Sequence, residues 1–218
     1  MPSMGVNQPR RPAGTLSGGQ WAPAAHDEAD VDLSGTGRPK RKERGDAVTA
    51  SSAAQAYIAA NDGPPPAGPV VLHLSDGAAV TVDPGQLDDL EAPWAQAYLR
   101  GHCFDLAVAL HQLTGGELIG VVDDDMADRC PNGIKHVGVS VEKGLMLDIE
   151  GPDTELASIG DDDPAVHWRR LKAADVEALA AARGPEHNVP LARAVAEKLL
   201  DAYFEDWREP GQDGAQPG

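Results

Sequence analysis

Cysteine is scarce: the 218-residue chain has two, Cys103 and Cys130. A chain of this length builds a core without cross-links, so the pattern excludes a disulfide scaffold. It suits a reducing compartment, and a cytoplasmic location is expected. No apolar run approaches the ~20 residues that a membrane helix needs. The N-terminus lacks the hydrophobic region of a cleaved signal peptide, which leaves only specialised secretion as an export route. Basic residues are few as well, 18 Lys and Arg against 35 Asp and Glu. Residues 1–68 hold seven of each sign, so residues 69–218 carry the whole net charge of −17. A domain so acidic repels phosphate backbones, which argues against nucleic acid as its partner. No internal repeat is present.

What is there falls into three parts. Residues 1–68 are expected to be a disordered tail ending in a Pro-rich linker, residues 69–208 a folded domain, and residues 209–218 a second disordered tail. Within the first tail, Gly18–Leu33 resembles a leader found on proteins of actinobacterial phages and plasmids. Arg38–Arg44 is a basic run read as solvated. Ala47–Asn61 is alanine-rich and could form a short helix before the breaker Gly63-Pro64-Pro65-Pro66.

In the domain, Val70–Val82 reads as a β-hairpin turning at Asp76-Gly77. Gln86–Leu99 reads as mostly helical. From Cys103 the apolar residues fall at 103, 106, 107, 110 and 113, a helical stripe stopped by Gly115-Gly116. Glu117–Val122 is a strand and Asp123–Lys135 an acidic loop. A second hairpin follows, its first strand opening at His136 and its second ending on Asp148. Val166–Leu171 is a further strand, and helices Ala173–Ala182 and Leu191–Trp207 close the domain.

Parity decides how the second hairpin pairs. Val137, Val139 and Val141 must share one face, as must Leu145, Leu147 and Ile149. Only a three-residue loop, Glu142-Lys143-Gly144, puts all six on the same face, with Gly144 left-handed. That register sets Gly138 opposite Asp148, and His136 lies diagonal to Asp148 at about 7–8 Å, within reach of an imidazole–carboxylate hydrogen bond. A thiol at position 103 opens its helix, where the dipole and a neighbouring imidazolium favour the thiolate. Gly138 and Ser140 are small enough to let that helix approach the face carrying His136. Cys103, His136 and Asp148 are thus candidate nucleophile, base and orienter.

No C-x-x-C or H-x-x-x-H pair joins Cys130, His136 and His102 or Cys103 into a metal site. Asp123–Asp125 with Asp128, and Asp161–Asp163, lack the alternating ligands and the glycine of a calcium loop. Neither a metal nor an organic cofactor is expected.

The G-x-C-x-D-x-A-x-A-L pattern at Gly101–Leu110, with a His opening a strand 33 residues on and an Asp 12 beyond it, resembles the papain-like superfamily, closest in its transglutaminase-like branch. The resemblance covers Pro93 to Gly151, about a quarter of the chain. It implies an α+β papain-like core, in which a Cys-bearing helix packs on a small antiparallel sheet. It also implies roles for Cys103, His136 and Asp148 as nucleophile, base and orienter. The chain departs from the branch in having Val137-Gly138 where an aromatic commonly follows the histidine. Gln96 is a candidate for the oxyanion hole, beside the Cys103 amide. The function expected is thiol-dependent acyl transfer on a protein or peptide by a peptidase, deamidase or transglutaminase-like enzyme. The alternative is a non-catalytic binding module on a degenerate version of the fold.

Overall fold

The computed structural model describes residues 48–141, 144–183 and 188–204. The leader, the basic run and the expected C-terminal tail lie outside the described residues. Thr49 opens helix α1 (Ala50–Ala60), its hydroxyl accepting from Ser52 N at 3.1 Å as an N-cap. Four residues of α1, Ala53, Ala54, Tyr57 and Ile58, are buried in the main core. The folded unit therefore starts before the expected boundary at residue 69. Small alanines let α1 lie close to its neighbours while Tyr57 and Ile58 supply the apolar face.

Strands β1 (Val70–His73) and β2 (Ala79–Val82) pair antiparallel around a turn in which Gly77 is left-handed, φ 84°. The stretch read as a helix from Gln86 to Leu99 is mostly not one. Asp83 caps a short 3-10 turn at Pro84–Gln86, and Asp89 closes a turn onto Glu91 N. Pro93 opens another 3-10 turn at Pro93–Ala95, and only α2 (Gln96–Leu99) is α-helical. Aspartates that bond their own downstream amides compete with helix here, and prolines reinforce the breaks. Helix α3 (Cys103–Thr114) runs as expected, and Gly115 (φ 70°) stops it in the left-handed conformation.

A five-stranded antiparallel sheet follows, in order β6-β5-β4-β3-β7, from β3 (Leu118–Asp123), β4 (Ile134–Val141), β5 (Leu145–Asp148), β6 (Gly151–Glu155) and β7 (Val166–Arg170). Strand β6 was not legible in the sequence, since Gly-Pro-Asp-Thr-Glu carries no alternating apolar pattern. Strand β4 starts two residues ahead of His136. Helices α4 (Ala173–Arg183) and α5 (Val189–Tyr203) complete an α+β fold. The α5 stripe Leu191, Val195 and Leu199 is fully buried, each such side chain stabilising the fold by about 1.5–3 kcal/mol. Among the described residues no helix is long and apolar enough to cross a membrane.

The hairpin register is the one that parity selects. Val139 pairs with Leu147, Ser140 with Met146 and Val141 with Leu145, leaving three residues to turn, and Gly144 has φ 73°. Val137, Val139, Val141, Leu147 and Ile149 all join the main core, with Leu145 packed against it. The helix, however, does not lie on the face expected of it. The buried residues of α3 belong to the same core as these valines, so α3 covers the valine face. The opposite face has its own small cluster of Ile119, Val121, Met146 and Leu156. The space left by Gly138 goes to Met146, whose Cγ stands 2.6 Å from where a Cβ would be.

Candidate active site

One helix start and the two strands of one hairpin supply the site. The first is the N-terminus of α3. Gly101, at φ 127°, turns the chain into it, and Cys103 is its first residue and half-buried. The second is β4, which carries a bulge next to His136: Val121 pairs with His136 but Val122 with Ile134. Ile134 and Val137, three residues apart, both reach the main core, so an extra residue is accommodated between them. Bulges of this kind re-aim neighbouring side chains, and regular alternation along β4 could not have revealed it. The third is the end of β5, where Asp148 Oδ1 accepts from the Glu150 amide at 2.9 Å and fixes the carboxylate.

These elements bring His136 and Asp148 together. His136 Nε2 donates to Asp148 Oδ2 at 2.7 Å, with the two side chains 17% and 6% exposed. His136 also hydrogen-bonds Cys103. Because Nε2 is committed to the carboxylate, Nδ1 is the ring atom left for the thiol. Burial pushes the imidazole down, but the hydrogen bonds to Asp148 and Cys103, with the charges of both, outweigh it and raise His136 to about 10. The charged form of the ring is the favoured one in this setting.

Gln96 lies on the surface at the start of α2. Its carbonyl accepts from Arg100 N at 3.0 Å.

Sequence reasoning missed the support beneath Cys103. Asp105, in the first turn of α3, is 1% exposed and accepts from the Tyr57 hydroxyl at 2.6 Å and from Asn188 N at 3.5 Å. His102, equally buried, donates Nε2–H to the His73 carbonyl at 2.9 Å, with Nδ1 3.7 Å from Asp105 Oδ2. A buried carboxylate left unpaired costs heavily, so this network ties the start of α3 to α1, β1 and the start of α5. The available signal was Asp105 itself, a charged residue inside an otherwise apolar helix. The histidine within α3, His111, donates Nδ1–H to the Gly116 carbonyl at 2.6 Å and helps close the helix.

A groove of about 340 Å³ between α1 and α4 is lined by residues including Val48, Tyr57, Val176 and Ala180. It contains neither Cys103 nor His136, and its lining carries no strong nucleophile. Among the described residues no group of three or more His, Cys, Asp or Glu side chains is arranged to hold a metal ion. No protein-family model matches the chain, and neither a curated protein nor a solved structure matches it.

Proposed function

We propose that the protein is a thiol-dependent acyl-transfer enzyme of papain-like, transglutaminase-like type, acting on an amide or ester of a protein or peptide. The observation that carries this reading is the His136 ring held between Asp148 and Cys103 at a helix N-terminus. In the reaction the Cys103 sulfur attacks the acyl carbon, and the carbonyl π pair moves onto oxygen. The first turn of α3, beginning with the Cys103 amide, stabilises that oxyanion through the positive end of the helix dipole. Collapse expels the amine or alcohol, which takes its proton from His136 and leaves a thioester. Water or an amine then gives a proton to His136 and displaces the thiol. Asp148 keeps Nε2–H in place and stabilises the imidazolium throughout. Gln96, at the start of α2, is the side-chain candidate for the same oxyanion hole. Two cysteines, neither in a disulfide, fit a reducing, cytoplasmic setting.

The test is the rate of iodoacetamide alkylation against pH, with Cys103 and Cys130 followed separately. Cys103 is expected to react well below the ordinary thiol range of ~8.5 and to outpace Cys130 at pH 6. A Cys103 that reacts only above pH 8, indifferently to His136→Ala, would sink the nucleophile assignment and leave the binding-module reading in its place.

A further inference from the structure

Large hydrophobic side chains are exposed at only four described positions: Val48, Val71, Trp168 and Tyr203. Tyr203 stands apart because of what it touches. It is the last residue of α5, whose inner face is fully buried, so a rigid element carries the ring. The ring lies against Gly151 so closely that a Cβ there would come within 2.6 Å of Tyr203 Cζ, and its hydroxyl reaches the Glu150 carbonyl at 3.3 Å. Gly151 (φ 104°) is the ladder partner of Asp148, the carboxylate that holds His136. Paired Cα atoms in an antiparallel ladder are about 4.5–5.5 Å apart. Tyr203, 43% exposed, therefore stands one residue pair from the Asp148 carboxylate.

We infer that Tyr203 forms one wall of the substrate cleft and selects a peptide with an apolar side chain next to the reacting acyl group. This rests on the thiol-enzyme reading and adds its substrate class. An aromatic wall on a rigid support gives contact area at little conformational cost. The net charge of −17, all of it on residues 69–218, makes that peptide neutral or basic, since an acidic one would be repelled.

The experiment uses the full chain and two peptidyl chloromethyl ketones, one with Phe and one with Gly beside the reactive carbon. The thiolate attacks the methylene, a carbon–sulfur bond forms and chloride leaves. Each rate is divided by the iodoacetamide rate of the same variant, which removes any change in the thiol itself. The native chain is expected to prefer the Phe probe by about tenfold, and Tyr203→Ala to bring the two probes within about twofold. Tyr203→Leu keeps a side chain over Gly151 and is expected to fall between, which preserves the test if the alanine variant does not fold. A Phe-to-Gly ratio unchanged in either folded variant overturns the inference and leaves the ring as a brace for the Gly151 turn. Labelling at pH 9, where any accessible thiol reacts, keeps this result separate from the thiol reading, which stands or falls on the pH profile.

Discussion

Two buried carboxylates, Asp148 and Asp175, are 5% and 4% exposed and both hydrogen-bonded, yet they differ in kind. Asp175, in the first turn of α4, takes a two-pronged contact from Arg169, the Lys172 amide at 2.8 Å and Asn132 Nδ2 at 2.9 Å. Its main partner is a permanent cation, which together with those amides holds the carboxyl down at about 2 against burial. This pair pins β7 and the loop before β4 to α4. Asp148 has one side-chain partner, and that partner is an imidazole also bonded to a thiol. The Asp175 cluster has one charge state across all ordinary pH, whereas the Asp148 cluster can move a proton. What separates the two carboxylates is therefore whether the partner can titrate, and burial does not tell them apart.

Breaking each partner should give opposite signatures. The largest effect is expected at His136. His136→Ala removes the imidazolium and should cut Cys103 alkylation at pH 6 by about tenfold or more, as the thiolate fraction falls and intrinsic nucleophilicity recovers only part of the loss. Mass-spectrometric labelling of Cys103 against Cys130 reads this directly. Asp175→Asn should instead cost about 2 kcal/mol of stability, less than a fully buried pair because Arg169 is 29% exposed. Denaturant unfolding would measure the loss, with the Cys103 pH profile unmoved. A profile that shifted with Asp175→Asn would erase the distinction.

The pH limits of stability should divide in the same way. His136 is raised from 6.5 to about 10 in the fold. The stability it contributes is complete below pH 6.5 and is lost as pH rises toward 10. Asp175 is lowered from 3.8 to about 2, so its contribution is complete above pH 3.8 and is lost as pH falls toward 2. His136→Ala should flatten the alkaline loss alone and Asp175→Asn the acid loss alone, both read by thermal melts across pH. A smaller effect belongs to the turn that sets the register. Gly144 has φ 73° and open space where a Cβ would go, so Gly144→Val should cost only backbone strain, about 1–2 kcal/mol. An unchanged melting temperature would mean that the turn does not hold Asp148 in register with His136.

The sequence by itself determined the hairpin register, because a period-two apolar pattern has one pairing that buries six aliphatics together. It determined the span of α3 as well, since an apolar stripe at helical spacing ends at a glycine able to turn left-handed. Those two facts already placed His136 diagonal to Asp148 and Cys103 at a helix start. Tertiary structure decided the rest. The side of the sheet that α3 covers depends on which surface the other helices leave available, and no local pattern records that. The bulge beside His136 arises from pairing with β3, so it exists only between strands. The Tyr57–Asp105–His102 network joins residues up to 48 positions apart. Strand β6 and the Tyr203–Gly151 contact likewise come from chain segments whose own sequences favour no pairing. Local propensities act over a few residues, whereas a buried carboxylate's partners, and hence its chemistry, are chosen by the packing of the whole chain.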